Sequence, residues 1–122
     1  MATNGACTIT EVTFGSMKSA TFAWTAGADG GVSGFFTSAM FDGEVCAVTS
    51  VPGSPAPTSY TLTILDNNGL DILLGSGVTR SATLSESLTK PGGAVASSKL
   101  QLVVAGAGAG TGAKGMVYVF IR

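Results

Sequence analysis

Along this chain apolar and polar residues alternate with a period of two far more often than they recur at helical spacing. From Ser19 to Ala26, Ala20, Phe22 and Trp24 share one parity, and Ser19, Thr21 and Thr25 share the other. Successive side chains of a strand point to opposite faces, so this predicts a half-buried strand with an aromatic core face. Tyr60 to Asp66 repeats the pattern, with Tyr60, Leu62 and Ile64 set against Thr61 and Thr63. Lys99 to Ala105 does so again with Leu100, Leu102 and Val104. Met116 to Arg122 is apolar on both parities, Val117, Val119 and Ile121 against Met116, Tyr118 and Phe120, which predicts a strand covered on both faces. Ala6 to Phe14 and Glu44 to Val51 are rich in Val, Thr and Ile and read as strands, and Val32 to Phe36 reads as a short one.

Turn residues separate these runs. Ala26 to Gly31 supplies residues that tolerate positive φ and predicts a hairpin loop. Pro52 to Pro57 cannot continue a hydrogen-bonded ladder and marks a surface loop. Asp66-Asn67-Asn68-Gly69 is a tight-turn signal, and Pro91-Gly92-Gly93 ends a further element. Gly106 to Gly115 is low in complexity and predicts a mobile loop joining the last two strands, Lys99–Ala105 and Met116–Arg122, as a pair. The nearest approach to helical spacing is Leu84 and Leu88 within Arg80 to Thr89; the Ser and Thr content there favours a loop or a short turn of helix. Short strands punctuated by turns predict an all-β fold: a single antiparallel β-sandwich or barrel-like (jelly-roll-like) domain over residues 1–122, with Gly-rich loops.

Composition narrows the function. The 122 residues suit one domain, and 45% are hydrophobic, enough for one core. Charged residues are only 11%, against about 25% in an average soluble protein. Gly, Ser, Thr and Ala fill the difference, which predicts a neutral surface suited to association. Six Lys and Arg scattered along the chain cannot build a phosphate-neutralising patch, so no nucleic-acid partner is expected. The chain has no histidine, which removes every reaction that needs an imidazole base or ligand. The first residues lack a basic n-region and an apolar h-region, and no apolar run approaches about 18 residues, so neither a secretory signal nor a membrane partner is expected.

Few constellations could carry chemistry. Asp66, Asn68 and Asp71 place oxygen ligands around Gly69 in a spacing that could cradle calcium, yet no bidentate Glu closes the loop; capping of their own turn explains the same residues. Asp42 and Glu44 would share a strand face as paired carboxylates, or form the solvated end of a turn. Gly75-Ser76-Gly77 before Arg80 has the look of an anion loop but lacks the following Lys and amphipathic helix, and Asp71 and Arg80 could pair as ions. Gly106 and Gly108 carry a dinucleotide-like spacing in a strand-to-strand setting that does not suit one. Cys7 and Cys46 are spaced like no metal site and read as free thiols; a disulfide would need their Cα atoms within about 7 Å. The serines have no activating base. Phe35, Phe36 and Phe41 cluster in an irregular segment and serve either the core or an interface. No catalytic, cofactor-binding or metal-binding residue is assigned, and the chain reads as non-enzymatic.

The stretch from Pro55 to Ser85 carries a wider pattern: a tyrosine strand, an acidic turn, Asp71-Ile72-Leu73, Gly75-Ser76-Gly77 and Arg80-Ser81. With the Phe22-Ala23-Trp24-Thr25-Ala26 segment and the closing apolar strand ending at Arg122, it resembles small virion-associated structural proteins of tailed bacteriophages over most of its length. The resemblance implies a capsid decoration or cement protein on the exterior of the virion, assembled in the host cytoplasm. It would oligomerise with copies of itself, as a trimer for example, and brace the major capsid protein. Residues 1–14, as an extended N-terminal arm, or the Gly106–Gly115 loop would then reach a partner chain. A head-tail connector or tail subunit is the alternative within the virion. A carbohydrate-binding or adhesion module is the alternative outside it, and would place Trp24 or Phe35, Phe36 and Phe41 on the exterior.

Overall fold

The computed structural model describes residues 6–14, 17–27, 31–38, 40–53, 60–73, 86–89, 94–106 and 113–122. Among these residues there is no helix; nine strands form two antiparallel sheets packed as a β-sandwich. The strands are β1 (Ala6–Phe14), β2 (Met17–Thr25), β3 (Val32–Phe36), β4 (Phe41–Pro52), β5 (Thr61–Leu65), β6 (Glu86–Thr89), β7 (Ala94–Ser98), β8 (Gln101–Ala105) and β9 (Lys114–Ile121). The larger sheet runs β1-β2-β9-β4-β6, with β7 also on β4; the smaller runs β3-β8-β5.

Alternation decides what is buried. Ala20, Phe22 and Trp24 of β2 and Val117, Val119 and Ile121 of β9 turn inward from the larger sheet. Leu62 and Ile64 of β5 and Leu102 and Val104 of β8 meet them from the smaller one, so a single core serves both sheets. Its centre is aromatic: the rings of Trp24 and Tyr60, one from each layer, lie edge to face at 5.3 Å and 63°, a geometry that the ring quadrupoles favour.

Several expectations are corrected. β8 and β9 do not pair with each other: β8 lies between β3 and β5, and β9 between β2 and β4. The chain therefore crosses from one sheet to the other between them, and their apolar faces pack across the core instead of sharing hydrogen bonds. Ala26 to Gly31 is likewise a crossing between sheets and not a hairpin; Ala26 N donates to Ala113 O at 2.7 Å and Gly27 N to Gly31 O at 2.9 Å. Of the segment read as loop or short helix, Glu86 to Thr89 is strand β6, paired with Ala47–Ser50 of β4; Ser and Thr are poor helix formers and accept a ladder when one is offered. Residues 80–85 lie outside the described residues. Strand β7 lies in a stretch where no strand was expected. Pro52 closes β4, and Gly53 N still donates to Lys114 O at 2.8 Å, so the ladder runs one bond past the proline. Lys114 and Gly115, expected in a loop, begin β9.

The turn at Asp66 forms as its residues demand. Gly69 sits at φ 79° and donates to Asp66 O at 3.0 Å, a backbone conformation that favours glycine. Gly43, at φ 131°, marks a break in the register of β4 against β7. A Cβ there would overlap Arg122 O, which accepts a hydrogen bond from Glu44 N.

Candidate functional site

The acidic residues that could have made a metal site are spent on backbone. Asp66 Oδ1 accepts from Asn68 N at 2.8 Å and Leu70 N at 3.0 Å. Asp71 Oδ1 accepts from Leu73 N at 3.0 Å and Ile64 N at 3.3 Å. These contacts are those of turn capping, where a carboxylate satisfies N–H groups that the chain reversal leaves over. Asn67, between them, ties the turn to the end of β7: its N–H donates to Ser98 Oγ at 2.9 Å and its Oδ1 accepts from Lys99 N at 3.3 Å. Among the described residues no three His, Cys, Asp or Glu side chains gather where they could hold a metal ion.

Asp42 and Glu44 flank the Gly43 break on β4 and are exposed. The Asp42 carbonyl accepts from Lys18 Nζ, and Glu44 exchanges backbone hydrogen bonds with Arg122 at 3.0 Å in each direction. They act as the hydrated end of a strand. Gly75-Ser76-Gly77, Arg80 and thus the Asp71–Arg80 pair lie outside the described residues, as does Gly108.

Both cysteines are free thiols. Cys7 faces the core beside Trp24 on the neighbouring strand, and burial pushes its thiol from 9.0 up to about 11. A thiol held so far above neutrality is a poor nucleophile, because the thiolate is the reactive form. Cys46 sits where the register of β4 slips by one residue against β9, with its Sγ 3.3 Å from Phe120 O and 3.9 Å from Met17 Sδ.

The aromatic residues divide by depth. Trp24 is 1% exposed and Phe41 4%, so neither can serve as a sugar platform; Phe35 packs against the core, and Phe36 is 53% exposed. The Trp24 Nε1 is buried with no hydrogen-bond partner among the described residues. An unpaired donor costs about 1–3 kcal/mol, which the burial of a whole indole offsets. The ring lies over Gly115, where a Cβ would come within 2.5 Å of Cζ2.

The feature that remains is a surface. The outer face of the larger sheet was expected to be covered along Met116–Arg122, yet Met116, Tyr118 and Phe120 are each only half-buried. The strand registers set them in cross-strand rows with threonines: Thr10, Thr21, Tyr118 and Thr49 in one row, Thr8, Ala23, Met116 and Val51 in the next. No charged residue stands in either row. At one end of this face Lys114, Thr25 and Gly53 rim an open depression of about 370 Å³. The opposite layer repeats the pattern at Phe36, Gln101 and Leu65, with Leu70 exposed nearby. Most described charges, among them Asp42, Glu44, Asp66, Lys99 and Arg122, stand near strand ends and in turns, and Glu11 stands within β1 on the inward parity. Alternation marks the threonine parity as outward, but whether the Met116–Phe120 parity is covered depends on a third layer, which no local pattern reports. Comparison with known proteins finds no matching family model, no matching curated protein and no matching solved structure.

Proposed function

We propose that this chain is a virion structural protein of a tailed bacteriophage. In this reading it is a capsid decoration or cement protein that works by association rather than catalysis, oligomerising on the head and bracing the major capsid protein. The observation that carries the reading is the uncharged outer face of the larger sheet, where hydroxyl groups alternate with half-buried Met116, Tyr118 and Phe120. Interface cores are depleted in charge and enriched in aromatic residues and methionine, and this face has that composition. A subunit repeated over a shell gains its hold from many modest contacts acting together, so a small, weakly charged chain suffices. The likeness of Pro55–Ser85 to virion-associated proteins supports the same reading. Trp24 and Phe41, two of the four aromatic residues an adhesion module would present, are buried.

Quantitative mass spectrometry and electron cryomicroscopy of particles assembled from the genome that encodes this chain test the proposal. Decoration gives hundreds of copies per particle, distributed over the head. About a dozen copies at the tail vertex would assign the chain to a connector ring instead, since closed rings fix small copy numbers. Particles without the chain would end the virion reading.

A further inference from the structure

Among the described residues each sheet edge but one is blunted. Strand β5 is covered by its own turn: Ile72 N donates to Ile64 O at 2.8 Å, Asp71 accepts from Ile64 N, and Leu65 and Asp71 form a further bridge. Strand β3 pairs with β8 through an interrupted register, β6 is four residues long, and β7 meets β4 across the break at Gly43. These are the devices by which folded chains prevent strand-to-strand association. Strand β1 has none of these four, its one protective feature being the inward-facing Glu11. It runs nine residues without a register shift, contains neither Pro nor Lys, and has β2 as its one strand partner among the described residues. Its single charged residue, Glu11, is turned to the link before β4, where its Oε2 accepts from Ser38 N at 3.0 Å and Ser38 Oγ at 2.8 Å.

We infer that β1 is a homodimerisation edge: two copies of this chain join their larger sheets by antiparallel β1–β1 pairing about a two-fold axis at Thr10. The occupant is a second copy because the edge is self-complementary in that register. With Thr10 opposite its own counterpart all nine residues pair, and Thr8 of each copy meets Val12 of the other. Thr–Thr and Thr–Val cross-strand neighbours stabilise antiparallel pairs. A foreign peptide chosen by charge would find none to read on the outward row, since Ala6, Thr8, Thr10 and Val12 are uncharged. Val12, 37% exposed, gains cover in the dimer. The axis stands perpendicular to the sheet, so both outer faces end on the same side as one wider uncharged platform. An isologous contact consumes the open edge of both copies, and the far edges are the blunted ones, so assembly by this route stops at two.

This inference deepens the self-association in the proposed function and commits it to a two-fold. Sedimentation equilibrium of the whole chain, alone and as Thr10→Lys and Thr10→Glu, tests it. Thr10 is exposed on the outer face, so both substitutions leave the core untouched. The wild-type chain is expected to approach twice its 12.1 kDa mass with rising concentration. Each variant alone should dimerise at least about tenfold more weakly, because two like charges would face each other across the axis. An equimolar mixture of the two should recover the dimer. A wild-type chain that stays monomeric, a three-chain mass, variants that assemble like wild type, or a mixture that stays monomeric would each overturn the inference. A monomer in solution leaves head decoration open, whereas particles lacking the chain leave the dimer standing, so the two failures are told apart.

Discussion

At Gly115 one missing methyl group makes room for the indole of Trp24, its cross-strand neighbour in the larger sheet. The Trp24 indole occupies the space that any side chain would need, with Cζ2 at 2.5 Å and Cε2 at 2.7 Å from the position of a Cβ. The ring cannot swing aside, since it is 1% exposed and packs edge to face on Tyr60. Gly115→Ala is therefore expected to destabilise the fold by about 1–3 kcal/mol, the usual range for overpacking a filled core. Urea unfolding followed by Trp24 fluorescence measures it, and an unchanged midpoint would contradict the packing described. Cys7 gives a test by pH. Its thiol is raised from 9.0 to about 11 by burial, so the folded state favours the protonated form. The stability that this preference contributes is intact below pH 9 and is lost as pH rises through about 11. At pH 8 the native Cys7 thiolate is about a hundredfold scarcer than in the unfolded chain. Mass-spectrometric mapping of iodoacetamide labelling at pH 8 should show Cys7 protected in the native protein and reactive in denaturant. Equal labelling in both states would place the thiol in water.

Among the elements, what could be read from sequence was parity, and what could not was neighbourhood. Phe22, Trp24, Leu62, Ile64, Leu102, Val104, Val117 and Val119 were all legible as inward residues, and all are buried, because a period of two is a local property of one strand. Which strand lies beside which is decided by how two apolar faces close over one another. The glycine-rich stretch before Lys114 invited a hairpin between β8 and β9. Yet each strand carries an apolar row, and the two rows are better buried facing across the sandwich than side by side. Strands β6 and β7 were illegible for a related reason: neither has an apolar alternation of its own, and each exists because β4, twelve residues long, offers ladder positions that β9 leaves open. The acidic turn was the most readable of the candidate sites, since the Asp66 and Gly69 roles follow from backbone chemistry within five residues, whereas the tie of Asn67 to Ser98 and Lys99 is a tertiary contact that no local pattern shows. The uncharged face proposed for association was legible only as a shortage of charge.

For the molecule as a whole, that shortage has a spatial form with a measurable consequence. Seven acidic and six basic residues are few for 122; most of those described lie near strand ends and in turns, Glu11 is on the inward parity of β1, and the described outward residues of both sheets are mainly hydroxyl, alkyl and aromatic groups. A partner that docks on a face is therefore held by apolar burial and neutral hydrogen bonds, not by ion pairs. Salt separates the two cases: the screening length falls from about 10 Å at 0.1 M to about 3 Å at 1 M, which weakens exposed ion pairs and leaves apolar burial undiminished. Particles that carry this chain are thus expected to keep it through a wash in 1 M sodium chloride, with the bound fraction, read by densitometry after pelleting, unchanged within about twofold. Low concentrations of urea, which solvates apolar and peptide groups alike, should release it before the capsid itself opens. Release by salt alone would mean that the contact runs through the charged strand ends, and the sheet faces would then lose their claim to be the surface that binds.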